Sequence, residues 1–301
     1  MNLRGILTEE LWLFILLGII LALAVPQYGL YVTPYAIYFL LVVMFLTSLS
    51  ISLGDITRST HYKKEILFSL LLVFIVSPLV AFFLSFMLER ELAIGLILYS
   101  AIPSAMANAF YLKRIGKNAA LALIITALTT LMAPLVTPII VKLLTGVYVN
   151  LNPIDLLVSL VKLIIVPFLA AEIMRRYAKR AAKSLLERSA PIGNVCVFFV
   201  IFGVISAGSE QVWNLGWLAV VMAVYLGICF AFGYIMPTKE KMVLGFGNGF
   251  RNGTLAMVVA LEVFGPGAAL VGVMSTLVHN IVLVPTLFIM GKKKAGTKLK
   301  N

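Results

Sequence analysis

Gly247-Asn248-Gly249-Phe250-Arg251-Asn252-Gly253 is a polar, glycine-rich run inside an otherwise apolar segment, Met242–Phe264. Each glycine in a helix interior costs about 1 kcal/mol relative to alanine. Four of them in nine residues, Gly245, Gly247, Gly249 and Gly253, predict a segment that is unwound or closely packed. Arg251 falls near mid-membrane, and a guanidinium does not shed its proton there. The first half of the chain carries a counterpart, where Pro103 breaks the apolar run Leu92–Leu112 and Asn108 follows the break. Interrupted, polar-bearing spans at matching places in two halves point to a transporter's binding site.

The surrounding sequence belongs to the bilayer. Of 301 residues, 62% are hydrophobic and 12% charged, with a mean hydropathy of +1.07. A water-soluble domain cannot hide that much apolar surface. The net charge of +12 does not indicate nucleic acid, because the basic residues lie in short loops between apolar runs. Cys196 and Cys229 both fall inside apolar runs and read as small buried hydrophobes. The first apolar run follows Glu9 and Glu10, lacks a small-residue cleavage site and reads as a span, not a leader.

A bilayer core takes about 20 apolar residues per helix. Ten spans are expected: Leu11–Val25, Pro34–Leu53, Ile66–Leu88, Leu92–Leu112, Ala119–Thr145, Leu156–Ile173, Ile192–Ala207, Leu218–Ile235, Met242–Phe264 and Ala268–Met290. Alternate connections are basic: Arg58, Lys63 and Lys64; Lys113, Arg114 and Lys117; Arg175 through Arg188; Lys239 and Lys241; and the tail 292–301 with Lys292, Lys293, Lys294, Lys298 and Lys300. The other loops hold Glu89, Glu91, Asp155 and Glu210 against Arg90 alone. The positive-inside rule then places both termini in the cytoplasm of a multi-pass cell-membrane protein, with the tail near anionic lipid.

Five spans per half predicts two inverted repeats, residues 9–146 and 154–291. Thr129-Thr130-Leu131 with Pro138 is echoed by Ser275-Thr276-Leu277 with Pro285. Ionisable groups at membrane depth each need a reason. Lys142, Glu172 and Lys162 can reach an interface by snorkelling, and Glu262 reads as an outer vestibule residue. Arg251 favours an anionic ligand or a paired carboxylate, and spans 3–5 and 8–10 offer it no mid-membrane acid. Its bland reading is a cap on carbonyls of the facing broken helix. Thr126 and Thr130 share a face of span 5. Their hydroxyls and the Asn108 amide suit a weakly held sodium, or else ordinary interhelical hydrogen bonds. His279 and Asn280 lie in span 10, and Asn252 beside Arg251.

At these residues the chain resembles the bile acid:sodium symporter family, within the wider bile/arsenite/riboflavin transporter superfamily. The resemblance spans nearly all ten segments. It is sharpest at Pro103–Leu112, at Thr126–Pro138, at Arg251-Asn252-Gly253-Thr254-Leu255-Ala256 and at His279-Asn280-Ile281. The stretch around Asn108 is also similar to the auxin-efflux branch. What the resemblance implies is a panel domain of spans 1, 2, 6 and 7. A core domain holds spans 3, 4, 5, 8, 9 and 10, with discontinuous spans 4 and 9 crossing near mid-membrane. It implies a sodium site of an Asn, span-5 hydroxyls and a Glu. Asn108, Thr126 and Thr130 keep the first parts, whereas the Glu position aligns with Gly247. Two Gln positions of a second sodium site align with Arg251 and Val73. Arg251 is therefore expected to stand in for a bound cation.

The reading is an all-α polytopic transporter of a small organic anion, with sodium as the implied coupling ion and no other cofactor. Substrate contacts are expected at Asn108, Arg251, Asn252, His279 and Asn280, and hinges at Pro103, Gly247, Gly249 and Gly253. The alternatives are a sodium-independent anion carrier, an efflux carrier, and more remotely a channel or an intramembrane enzyme. No zinc-hydrolase His-Glu-x-x-His, Gly-x-Gly-Asp or nucleotide-binding loop is present. Arsenite efflux is disfavoured because neither cysteine lies in span 4 or 9. Substrate identity, transport direction and oligomeric state are not legible.

Overall fold

A computed structural model describes residues 11–50, 61–149, 151–210 and 215–280. Arg4, Glu9, Glu10, Asp55, Arg58, Ile281, the second half of span 10 and the tail 292–301 lie outside the described residues, as does the end of span 2. The described chain is helical throughout. In order it contains α1 (Leu11–Ala24), α2 (Pro26–Leu49), α3 (Lys63–Ser85), α4 (Arg90–Ala101), α5 (Ala107–Arg114), α6 (Ala119–Thr145), α7 (Pro153–Tyr177), α8 (Lys179–Glu187), α9 (Ser189–Ala207), α10 (Leu215–Tyr234), α11 (Lys241–Gly249) and α12 (Gly253–Val263). Residues 266–280 form a further helix, α13.

Six of these, α2, α3, α6, α7, α9 and α10, are long and apolar enough to cross a membrane. Many apolar side chains point outward, among them Ile20, Phe83, Leu135, Leu143, Leu169 and Val220. Water would not tolerate that belt, and lipid does. Expected spans 4 and 9 each fall into two short helices, α4/α5 and α11/α12. Span 2 starts at Pro26, ahead of the expected Pro34. Pro34 sits in a tight turn at Thr33–Tyr35 that keeps the helix continuous. Pro26 occupies the first helical position, where its missing N–H costs nothing.

Helix α9 packs against α1 and α2, and α7 against α2. The approach is close because glycines remove side chains at the contacts. A Cβ on Gly203 would sit 3.1 Å from the Thr33 Cα, and the Thr33 hydroxyl donates to Gly203 O at 2.8 Å. A second group forms around α10 and α11, with α3, α4, α5 and α6. There a Cβ on Gly245 or Gly249 would press on Phe230, so these glycines serve close helix packing. Both remain helical, and the unwound part of span 9 is confined to Phe250–Asn252. Helix α12 spans the two groups, touching α4 on one side and α2, α7 and α9 on the other.

Helices α3 and α7 each contain a π-helical turn, at Leu72–Val76 and Val161–Ile165. Each turn ends two residues before a proline, Pro78 or Pro167. In α3 the Ser77 N–H bonds to Leu72 O, and Pro78 has no N–H. Val73 O is thereby left without a donor from its own helix, which sets up one contact of the site.

Candidate functional site

The two breaks face each other. Ile102–Met106 and Phe250–Asn252 run antiparallel and pair at Ser104 and Arg251. Ala105 N donates to Phe250 O at 2.9 Å, and Asn252 N to Pro103 O at 3.0 Å. Breaking a helix in a bilayer strands backbone groups, and this short ribbon re-satisfies them. Thr137, between the two prolines of α6, caps a further one by donating to Ala101 O at 2.7 Å. Helix α12 restarts at Gly253 with the Asn252 side chain accepting from Leu255 N at 3.1 Å. The N-termini of α5 and α12, and with them the positive ends of two helix dipoles, point at the crossing.

Asn108, 1% exposed, ties the two broken helices together. Its Nδ2 donates to Ser104 Oγ at 3.0 Å and to Phe246 O and Phe250 O, both at 3.1 Å. Its Oδ1 is buried without a partner, as is Ser69 Oγ. A Cβ on Gly247 would lie 3.6 Å from Ser69 Oγ and 3.7 Å from Ser104 Oγ. Neutral oxygens thus border the space that glycine leaves open.

Arg251 is 1% exposed and among the largest fully buried side chains. Its backbone N donates to the Tyr99 hydroxyl at 3.3 Å. Its Nη2 reaches Val73 O at 3.4 Å and Asn248 Oδ1 at 3.2 Å. Nε and Nη1 have no partner, and no carboxylate pairs with the guanidinium among the described residues. Tyr99 and Tyr225 stand nearby with ring centroids 5.9 Å apart, and Tyr225 bonds to Ser77, which also meets Cys229. The partners of the guanidinium are on α3 and α11, so it points into the group around α10 and α11.

The other expected residues fall around the crossing. Asn252 turns the opposite way, its Nδ2 3.7 Å from Met44 Sδ on α2. His279 stacks on Phe250, centroids 4.1 Å apart, with Nε2 unpartnered. Asn280 accepts from the Tyr111 hydroxyl at 3.4 Å. Thr126 makes a long bond to Ala105 O, 3.5 Å. Thr130 is half-buried and makes no hydrogen bond among the described residues, whereas its neighbour Thr129 is fully buried and accepts from Ser104 N at 3.3 Å. Thr129, Ser104, Tyr99, Ser69 and Asn248 were not singled out from the sequence. Thr129 and Thr130 are both within a turn of Thr126, and spacing alone could not choose between them.

Away from the crossing, Glu262 at the end of α12 accepts from Ser159 on α7, and Lys162 Nζ stands 4.0 Å from it. Glu262, Ser159, Asp155 and Asn152 line a cavity of about 490 Å³. Glu172 pairs with Arg175.

The sodium bile acid symporter family matches residues 37–215. The chain belongs to that family. The matched residues include Asn108, Thr126 and Thr130 and end before Arg251. Full-length relatives extend further. The chain is 23% identical over 302 residues to the uncharacterized sodium-dependent transporter YocS of Bacillus subtilis (strain 168), covering 96% of this chain and 94% of that one. It is 27% identical over 281 residues to the probable sodium/metabolite cotransporter BASS1, chloroplastic, of Arabidopsis thaliana, covering 90% and 70%. The rice protein of the same name is 27% identical over 275 residues, covering 85% and 66%. Membership in a transporter family and six apolar crossing helices make this a multi-pass membrane protein.

Proposed function

We propose that the protein is a secondary transporter that carries a small organic anion by alternating access, with Arg251 serving as a built-in cation at the crossing of the two broken helices. The observation that carries this reading is a fully buried guanidinium with two unpartnered nitrogens, Nε and Nη1, and no acid paired with it among the described residues. A buried charge without a partner is costly, and it persists where a field of fixed sign is needed. Both dipole ends at the crossing add to that field, which favours a carboxylate in the crevice beside Asn252 and α2. Ten spans in two inverted repeats, with both termini cytoplasmic, complete the proposed architecture. The grouping of α1, α2, α7 and α9 apart from the helices around α10 and α11 supports a panel and a core. The contacts of α12 with α2, α7 and α9 support a crevice closed on the proposed outer side.

A second reading has its own support. Asn108 Oδ1 and Ser69 Oγ are buried acceptors without donors, and sodium is the ion named for the relatives. One weakly held sodium at Asn108, Thr126 and Thr130 would travel as co-substrate. Uptake of radiolabelled small carboxylates into proteoliposomes, under sodium and under choline gradients, separates the two. With Arg251 as the substitute, wild-type uptake is indifferent to sodium and Arg251→Gln gains a sodium requirement. Normal uptake by Arg251→Ala sinks the proposal, and sodium-driven uptake abolished by Asn108→Ala establishes the second reading.

A further inference from the structure

Helix α8 was expected as part of a basic loop between spans 6 and 7. It is instead an ordered amphipathic helix beneath the ends of α2 and α7. On a helical projection Lys179, Arg180 and Lys183 share one face, with Glu187 between them, and Ala182 and Leu185 share the other. Ala182 is buried, and with Leu185 it packs against Leu46 and Leu49 of α2 and Ala171 and Met174 of α7. That contact fixes the helix at the end of the membrane bundle, with its basic face turned outward. Lys179, Arg180 and Lys183 are all exposed, and so are Arg176 and Arg188. None of the five joins an ion pair among the described residues, whereas Arg175 is taken by Glu172.

A face meant only for water would carry no large apolar groups. This one does. Tyr177 is 77% exposed and Leu186 40% exposed, and Arg176 lies over the Tyr177 ring, 5.7 Å from its centroid. An aromatic ring at the end of α7, an aliphatic side chain on α8 and several unpaired cations across the two match the headgroup layer. Apolar tips there dip toward acyl chains, and cations meet phosphate.

We infer that α8 is a membrane-surface helix and that its Lys179, Arg180 and Lys183, with Arg176 at the end of α7, bind the phosphodiester headgroups of anionic phospholipids. The site lies wholly on α8 and the end of α7 and seats α8 at the membrane surface. The inference takes from the proposed function only the cytoplasmic placement of this face, and its readout involves neither substrate nor sodium.

The test uses the full-length protein reconstituted in phosphatidylcholine with spin-labelled phosphatidylglycerol or spin-labelled phosphatidylcholine as probe. Electron paramagnetic resonance gives the ratio of their association constants. Wild type prefers phosphatidylglycerol, and the preference weakens with salt. A basic residue near an anionic surface contributes roughly fivefold, so Arg176→Gln, Lys179→Gln, Arg180→Gln, Lys183→Gln together bring the ratio close to one. The charge-keeping variant Lys179→Arg, Arg180→Lys, Lys183→Arg retains it, which guards against misfolding as the cause. The inference is overturned if the Gln variant keeps the wild-type ratio, if Gln at Lys292, Lys293 and Lys294 abolishes it instead, or if soluble glycerol phosphate displaces the lipid probe.

Discussion

Replacing Asn108 by alanine removes a side chain that ties both broken helices together. The amide has two hydrogens and three acceptors within 3.1 Å, Ser104 Oγ, Phe246 O and Phe250 O, so one hydrogen is shared. Ser104 can rotate its hydroxyl, whereas the two carbonyls end α11 and cannot move. Both carbonyls keep a backbone donor, Phe246 O from Phe250 N at 3.0 Å and Phe250 O from Ala105 N at 2.9 Å, so each loses the net value of one buried hydrogen bond, about 1 kcal/mol, or about 2 kcal/mol for the pair. On the scale of roughly 2–4 °C per kcal/mol for larger domains, the melting temperature falls by about 4–8 °C. Asn108→Asp should cost at least as much, because it sets a carboxylate against the same acceptors. Thr130→Ala is the control, since no hydrogen bond is lost there, and its melting point should stay within about 1 °C. Thermal melts of the purified variants in one detergent read all three. An Asn108→Ala protein that melts with wild type would falsify the bridging role and leave the amide a passive neighbour.

Other perturbations separate stability from transport. Arg251→Met fills the same space without the charge and should melt no lower than wild type, because an uncompensated buried cation costs more than it returns, while carboxylate uptake is lost. Gly253→Ala would place a Cβ 3.0 Å from Ser275 Oγ and 3.1 Å from Gly272 O, wedging α12 from α13. A loss of about 1–3 kcal/mol is expected, and an unchanged melting point refutes the close fit. Pro78→Ala gives α3 an N–H that competes for Val73 O, so it should slow transport more than it lowers the melting point, as the uptake assay and melts together decide. Glu262→Gln removes a pair whose side chains are 60% and 35% exposed. Stability should change by under about 1 kcal/mol, while thiol labelling of Asn152→Cys from outside speeds up as α7 and α12 part.

Pattern and composition carried the membrane assignment, both helix breaks and the place of Asn108 and Arg251. These are strong local signals: a proline in a long apolar run, glycines around a charge. What was not legible depends on partners far along the chain. Nothing local to Ser69 or Tyr99 says that Ser69 lies against Gly247 or that Tyr99 meets Arg251. The π turns insert a residue into the helical period, so a fixed-angle projection of α3 assigns faces wrongly beyond Leu72. In the sequence α8 shows only its charge, because Ala182 and Leu185 become an apolar face only against Leu46 and Leu49 of α2 and Ala171 and Met174 of α7. Thr129 meets Ser104 because the ribbon there faces that side of α6, and that ribbon exists only once both breaks have formed.

The paired backbone bonds between the breaks have a consequence for how such a carrier can diversify. Since Ala105 holds Phe250 and Asn252 holds Pro103, neither break can change shape without the other, and the floor under a ligand has one fixed contour. New selectivity must therefore come from the opposite wall, where Met44 faces Asn252. That wall is a plain continuous helix whose side chains can be exchanged one at a time. The two breaks move as one unit, whereas the apolar helix facing them can be altered residue by residue.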